Sequence, residues 1–264
     1  MSSLDNNDFT NVSLKVDSQI TLNKPRNKGA RKEHLKVTPM LDYRAQVIQQ
    51  LIKQRGWSSL SRYDAIAAVY LFVRDEITFG YNSDDTLSAS QVLKDGYGQC
   101  NTKGTLLMAL LRALAIPARF HGFTIFNELQ KGAIPNYLFT FAPKRIIHSW
   151  VEIYFEGQWL DLEGYIIDQA YLSQVQAKFS DQCEAFSAYG IATTCLKRPE
   201  NDWQGKSTYI QKEGIADDFG IYDQPDDFYR EKGSNLSGLK KIAFRYVLRH
   251  LMNTNVNRIR QRGL

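Results

Sequence analysis

The sequence has few cysteines and no long apolar run. Its three cysteines are Cys100, Cys183 and Cys195, and a small, odd number does not indicate a disulfide framework. No stretch of the 264 residues approaches the roughly 18 apolar residues that a membrane-spanning helix needs. The first residues also lack the apolar segment of a secretory signal. We therefore expect a cytoplasmic protein whose thiols remain reduced.

Sequence patterns for metals and nucleotide cofactors are missing too. No glycine-rich phosphate loop or dinucleotide loop occurs. The cysteines and histidines are not paired at zinc-binding spacings. The segment 217–227 is predicted to be an acidic loop, and it lacks the alternating ligands and closing glutamate of a calcium-binding EF-hand. We expect neither a metal nor a cofactor.

Basic charge is concentrated near the C-terminus. The net charge is +5, and residues 239–264 contain no acidic residue but seven basic ones: Lys240, Lys241, Arg245, Arg249, Arg258, Arg260 and Arg262. A helix is predicted over 239–252, and its apolar positions are expected to dock on the domain while its charges face solvent. Those apolar positions are Leu239, Ile242, Tyr246, Val247 and Leu251. Contact with an anionic surface is the less favoured alternative, and nucleic-acid binding is not expected.

Helical patterns precede strand patterns along the chain. Residues 1–37 are polar and basic and are predicted to form a flexible N-terminal arm. Residues 38–264 are predicted to form a single domain with a C-terminal basic helical extension. Helical patterns up to residue 114 are followed by an antiparallel hairpin at 147–166, so the predicted fold class is α+β.

Cys100 lies where a glycine-containing loop enters a strongly patterned helix, with leucines at positions 106, 107, 110, 111 and 114. The positive end of a helix stabilises a thiolate, and the backbone N–H of Cys100 could bind an oxyanion. Gly96 and Gly98 would let a substrate approach closely. The sequence thus predicts a nucleophilic cysteine. A buried structural cysteine is the alternative, and it is the favoured interpretation of Cys183 and Cys195.

Among four histidines, His148 is the favoured base because it begins an alternating strand. If residues 156 and 157 form a two-residue turn, Trp150 faces Glu163 and His148 faces Tyr165. Glu163 is then the diagonal neighbour of His148, about 7–8 Å away between backbones, whereas Asp161 lies too far along the strand. A carboxylate at position 163 would orient the imidazole, as the third member of a nucleophile–base–acid set does.

Two segments carry a family resemblance. GYGQCNTKGTLLMALLRALAIPARFHGF resembles the nucleophile segment of the transglutaminase-like superfamily, and HSWVEIYFEGQW resembles its histidine segment. The resemblance covers residues 62–168 and implies a papain-like or transglutaminase-like core, with N-terminal helices and the nucleophile helix packed on an antiparallel sheet. It also implies a catalytic triad of Cys100, His148 and the residue at position 163. The family usually has aspartate and proline where this chain has Glu163 and Gly164.

The chemistry implied by this resemblance begins with attack of a cysteine thiolate on an acyl carbon, which gives a thioester. An imidazolium then protonates the leaving group, and water or an amine resolves the acyl-enzyme. We expect a peptide, protein or small amide substrate and a hydrolytic reaction. Acyl transfer to an amine and a non-catalytic binding or scaffold protein are the alternatives. Gln99 and His121 are secondary candidates for binding the oxyanion. The whole chain also resembles a group of bacterial transglutaminase-like proteins of similar length.

Overall fold

A computed structural model describes residues 30–139, 142–179 and 184–264. Most of the predicted N-terminal arm, residues 1–29, lies outside the described residues, and so does Cys183. Cys195 is disulfide-bonded, which the small number of cysteines did not lead us to expect. Cys100 is a free thiol.

The last residues of the predicted arm contact the rest of the chain. The Ala118 amide donates to the His34 carbonyl at 3.2 Å, and the Arg112 guanidinium donates to the Lys36 carbonyl at 2.8 Å. The His34 ring also packs edge-on against Trp159, with 5.0 Å between ring centroids. Residues 34 and 36, near the end of the predicted arm, are therefore held against the rest of the chain.

The first part of the described chain is helical, as predicted. The helices are α1 (Ala30–Glu33), α2 (Gln46–Arg55), α3 (Arg62–Leu71), α4 (Ala89–Asp95) and α5 (Cys100–Ala113). A π-helical turn at Phe72–Glu76 extends α3. Two short strands, β1 (Thr78–Phe79) and β2 (Tyr97–Gly98), pair in parallel just before α5. The Ser61 hydroxyl accepts a hydrogen bond from the Asp64 amide and caps α3.

The second part of the described chain supplies most of the strands, which are β3 (Ala118–Phe126), β4 (Arg145–Phe155), β5 (Gln158–Leu162), β6 (Phe186–Ala188), β7 (Ile191–Thr193) and β8 (Ile215–Tyr222). Helices α6 (Asn136–Phe139), α7 (Gln169–Phe179) and α8 (Pro225–Lys232) lie between or after them. The main sheet has the antiparallel order β5-β4-β3-β8. Two further helical segments close the chain, α9 (Gly238–Ala243) and α10 (Arg249–Arg262), joined by a π-helical turn at Phe244–Leu248. The α+β prediction is confirmed.

The β4–β5 hairpin has the predicted register. Phe155 pairs with Gln158, and Glu152 pairs with Asp161. The two turn residues at positions 156 and 157 both have positive φ, 46° and 90°, which is the geometry of a two-residue turn matching the twist of its strands. β5 ends at Leu162, so Glu163 leaves the ladder immediately after the hairpin.

The segment 217–223 is not the acidic loop that its composition suggested. Residues 217 and 218 lie within strand β8, which pairs with β3 at the edge of the sheet. Register shifts interrupt this pairing next to Phe123 and Ile125. Asp217 and Asp218 are exposed on the edge strand. An edge strand exposes much of its surface, so aspartates there hide the apolar alternation that usually reveals a strand.

Helix α5 is buried on all sides rather than along one stripe. Every residue from Cys100 to Arg112 is buried. Several of its polar side chains donate to backbone carbonyls. The Lys103 ammonium donates to the carbonyls of Arg74 and Ile166, at 3.0 and 2.9 Å. α5 packs against β4 on one side and against α3 and α4 on the other, so the nucleophile helix forms the centre of the core.

The C-terminal helices dock with a different face from the one predicted. The apolar residues expected to be buried are exposed, Leu239 at 84% and Tyr246 at 68%. The buried positions are instead Met252, Val256 and Ile259, which follow the i, i+4, i+7 spacing of α10. The turn between α9 and α10 is π-helical and holds more residues than an α-helical turn. The α-helical spacing of buried positions therefore does not continue unchanged from α9 into α10. The predicted docking of the 239–251 apolar face is therefore wrong.

Among the helices of the described residues, none is both long and apolar enough to cross a bilayer.

Gly104 is expected to resist substitution although it lies inside a helix. A Cβ at this position would lie 2.6 Å from the Tyr165 hydroxyl oxygen and at ordinary distances from other atoms. Replacing glycine by alanine in a helix normally stabilises by about 0.5–1 kcal/mol. Here Gly104→Ala should lower the free energy of unfolding by about 1–3 kcal/mol, because the new methyl group overpacks the site.

Urea unfolding of a double-mutant cycle checks this expectation. In a Tyr165→Phe background the clashing oxygen is gone, so adding Gly104→Ala should be neutral or stabilising. Equal destabilisation in both backgrounds would show that the Tyr165 hydroxyl does not determine the requirement for glycine.

Candidate active site

Cys100 is the first residue of α5, directly after the short strand β2. Gly98 precedes it for a packing reason. A Cβ on Gly98 would lie 2.6 Å from Thr102 Oγ1 and 2.9 Å from Lys103 Cγ. The small residue therefore lets the loop close over the first turn of its own helix, whereas the sequence suggested that it makes room for a substrate.

The Gln99 side chain is part of a network that holds this loop. Its Oε1 accepts from the Asn82 amide at 3.1 Å, and its Nε2 donates to Asp85 Oδ1 at 2.9 Å. Thr102 Oγ1 accepts from the Gln99 backbone amide at 3.1 Å. Both ends of the Gln99 amide therefore help to hold the loop before α5.

Asn101 ties the start of α5 to strand β4. Its Nδ2 donates to the Ile147 carbonyl at 3.2 Å, and its Oδ1 accepts from the Ser149 hydroxyl at 2.9 Å. These two partners flank His148 in the sequence. One asparagine therefore sets the position of the His148 backbone relative to Cys100. The only indication in the sequence is that an amide side chain directly follows the cysteine.

Asp85 connects Asn101 to the C-terminal part of the chain. Its carboxylate accepts from Asn101 Nδ2 at 3.2 Å and from Asn235 Nδ2 at 3.1 Å. Asn235 Oδ1 in turn accepts from the Ile147 amide at 2.6 Å. Neither Asp85 nor Asn235 carries a sequence signal, because both lie in irregular segments and act only through long-range contacts.

His148 and Glu163 meet in the protein interior. The Nε2 atom of His148 is 2.9 Å from Glu163 Oε1, and both side chains are completely buried. The other carboxylate oxygen of Glu163 accepts from the backbone amides of Ile210 and Gln211, each at 3.0 Å. The carboxylate is thus held from both sides. The two backbone donors come from a segment that no motif identified.

The second ring nitrogen of His148, Nδ1, is not used in the contact with Glu163. Nδ1 makes no hydrogen bond of standard geometry, although Cys100 is near enough to influence the protonation of the ring. Burial by itself lowers the pKa of His148, but Cys100 and Glu163 outweigh burial and raise this pKa to about 10. The arrangement favours an imidazolium between a sulfur and a carboxylate.

Asp161 is not brought to His148. It pairs with Glu152 across the hairpin, and its Oδ2 accepts from the Tyr209 hydroxyl at 2.6 Å. The structure thus joins His148 to the residue chosen by the register argument and separates it from the nearer-looking aspartate in the strand.

His121 belongs to a different cluster on the sheet. Its Nδ1 is 2.8 Å from Glu152 Oε1, and its Nε2 is 2.9 Å from Asp218 Oδ1. Burial lowers the pKa of His121, but these two carboxylates outweigh burial and raise it. Both ring nitrogens are occupied, so His121 is not available as an oxyanion donor. Within the described part of the chain, no group of three or more His, Cys, Asp or Glu residues is placed to hold a metal ion.

The protonation of His148 gives a direct check on this geometry. In the wild type the ring should remain protonated through neutral pH and titrate near pH 10, not near the ordinary value of 6.5. Glu163→Gln removes one of the two groups that raise this pKa, so the titration should move to lower pH. Long-range ¹H–¹⁵N NMR of the imidazole measures both values, and Asp161→Asn, which alters a carboxylate of the same hairpin, should leave them unchanged.

The same ionisation makes the stability depend on pH. The pKa of His148 in the folded protein lies above its unfolded value of 6.5. The protonated ring therefore stabilises the fold fully below pH 6.5. The contribution is lost as the pH rises through about 10. The stability difference between wild type and Glu163→Gln should therefore be largest on the acidic side and shrink at high pH. A pH-independent difference would contradict the assigned ionisation.

Comparison with known proteins finds a family model that matches the central segment. Residues 50–164 match the family model of the Transglutaminase-like superfamily, which confirms the resemblance seen over residues 62–168. The crystal structure of a putative cysteine protease from Cytophaga hutchinsonii aligns at 15% identity and a TM-score of 0.45, over 76% of this chain and 50% of that chain. This chain thus spans half the length of that structure. No curated protein matches the sequence. The segment that matches the family model contains Cys100, His148 and Glu163.

Proposed function

We propose that this chain is a cysteine-nucleophile enzyme that cleaves a peptide or amide bond through a thioester intermediate. In this proposal Cys100 is the nucleophile, His148 is the general base and acid, and Glu163 orients the imidazole. The observation that carries the proposal is the fully buried His148–Glu163 contact beside a free cysteine at the first position of a buried helix.

Each step of the reaction can be assigned to a group on this chain. The start of α5 and the neighbouring imidazolium stabilise the Cys100 thiolate, which forms a bond to the acyl carbon. The backbone N–H of Cys100 lies in the first turn, where amides have no intrahelical acceptor, and is suited to bind the oxyanion. His148 then gives its proton to the leaving amine as the C–N bond breaks, and a thioester remains.

Hydrolysis is the proposed outcome of the second half-reaction. Water attacks the thioester carbon, His148 accepts the proton from that water, and Cys100 leaves as the thiolate. The products are a carboxylic acid and the regenerated enzyme. The route needs no binding site for a second substrate. The proposed substrates are peptides, proteins or small amides, and no cofactor takes part.

Intact-mass spectrometry after exposure to reactive acyl donors tests the nucleophile. Wild type should gain one acyl group, and Cys100→Ala should gain none. Addition of a primary amine then separates the outcomes, because hydrolysis releases the free acid while acyl transfer releases the amide. Absence of an acyl adduct and of product with wild type, under conditions where a simple thiol is acylated, would contradict a catalytic Cys100.

Turnover kinetics test the third residue. Glu163→Gln should lower kcat by about 10²–10⁴-fold, since the amide can no longer hold the imidazolium in its reactive orientation. Asp161→Asn should change kcat by only a few fold, because Asp161 contacts Tyr209 and not His148. Equal losses in the two variants would show that Glu163 acts through the stability of the hairpin and not through His148.

A further inference from the structure

The outer side of the C-terminal helices exposes a set of apolar side chains. Leu239, Ile242, Tyr246, Val247 and Leu251, which we call the outer apolar face, are between 40% and 84% exposed. Single exposed apolar residues are ordinary on a protein surface. These five lie within thirteen consecutive positions, in α9, the π-helical turn and α10, and together they concentrate exposed apolar surface on the C-terminal helices.

The cations of these helices fall into two groups. Lys241 and Arg245 face inward and pair with Asp84 at 2.6 and 3.0 Å. Arg260 pairs with Asp168 at 2.8 Å. Lys240, Arg258 and Arg262 are exposed, and none of these three forms an ion pair with a described residue. The last acidic residue before the C-terminus is Glu231, so nothing in residues 232–264 neutralises the outward cations.

The inward face is fixed to the rest of the chain. Met252, Val256 and Ile259 are buried. The Asn253 side chain accepts from the Tyr81 amide at 2.7 Å and donates to its carbonyl at 3.0 Å. Because the helices are already docked through these contacts, the outer apolar face is not the surface with which they pack on their own domain.

The combination of charge and apolarity distinguishes the candidate occupants. A second copy of the chain would bring two acid-free, positively charged faces together, which is electrostatically unfavourable. A nucleic acid would use the cations but would leave five apolar side chains without a partner. An anionic bilayer takes up both, since apolar side chains enter the interface while basic residues contact lipid headgroups. A tyrosine among the apolar residues also suits the interfacial region.

We propose that the outer apolar face, with Lys240, Arg258 and Arg262 around it, is an interfacial helix surface that binds anionic lipid bilayers. The helix that follows most of this surface contacts the segment just before the nucleophile. Arg249 donates to the Tyr97 hydroxyl at 2.9 Å, and Tyr97 is three residues before Cys100. A bilayer bound here would hold the nucleophile near the membrane surface.

Vesicle flotation with the full chain tests the proposal. Wild type should float with phosphatidylcholine vesicles that contain phosphatidylglycerol, bind pure phosphatidylcholine vesicles less, and lose part of its binding at high salt. Ile242→Glu combined with Tyr246→Glu should lower partitioning into the anionic vesicles by about tenfold or more. Tyr137→Glu is the matched control, because Tyr137 is 64% exposed and Tyr246 is 68% exposed. The Tyr137→Glu variant should bind the anionic vesicles as wild type does.

A second measurement remains informative if the double variant folds poorly. Tyr246→Trp places a fluorophore on the outer apolar face, and lipids brominated on their acyl chains should quench its emission. Wild type, whose native tryptophans lie elsewhere, should show less quenching.

Three results would overturn the proposal. The first is the absence of flotation with anionic vesicles. The second is equal binding by wild type and the double variant. The third is a wild-type dimer, seen by light scattering, that becomes monomeric in the double variant while vesicle binding is absent. If flotation fails and the double variant still binds duplex DNA, the proposal is overturned and the cations are assigned to nucleic acid.

Discussion

The buried contact between His148 and Glu163 is the interaction on which the site depends. Both side chains have no solvent exposure, and a charged pair at that depth is costly unless further hydrogen bonds stabilise it. The backbone amides of Ile210 and Gln211 provide them for the carboxylate. Loss of one partner from such a pair typically costs about 3–5 kcal/mol, so the fold around the pair is strongly constrained.

Several contacts transmit this constraint to the nucleophile helix. The Tyr165 hydroxyl donates to the Cys100 carbonyl at 3.2 Å, and the Lys103 ammonium donates to the Ile166 carbonyl at 2.9 Å. Burial lowers the pKa of Lys103 to about 7, which indicates how deeply this bridge is placed. Together with Asn101, these residues join α5 to strand β4 and to the chain that follows Glu163. The three proposed catalytic side chains are thereby placed by short, direct connections.

Much of this arrangement was readable from the sequence. The hairpin register followed from alternation and from a two-residue turn, and it identified Glu163 as the neighbour of His148. The remainder depended on contacts that carry no local pattern. Ile210, Gln211, Asp85 and Asn235 lie in irregular segments and reach the site from distant parts of the chain. No periodicity or spacing identifies a backbone amide that will meet a carboxylate 47 residues away.

Two errors in the sequence interpretation have a common physical origin. Strand β8 was read as a loop because its position at a sheet edge permits Asp217 and Asp218 to face solvent. The 239–251 stripe was expected to be buried because amphipathic helices usually dock with their apolar side. In this chain a π-helical turn separates α9 from α10, and Met252, Val256 and Ile259 make the packing contacts instead. In both cases tertiary context, and not local composition, decided which side chains were exposed.

The pH dependence of Cys100 alkylation by iodoacetamide tests the central claim most directly, because it reports the nucleophile and its base in one profile. If the buried His148–Glu163 pair supports an activated thiolate, wild type should be alkylated much faster than a simple thiol at about pH 6. His148→Asn should then follow the profile of an ordinary thiol. A wild-type rate equal to that of a simple thiol at this pH, and unaffected by His148→Asn, would contradict the account.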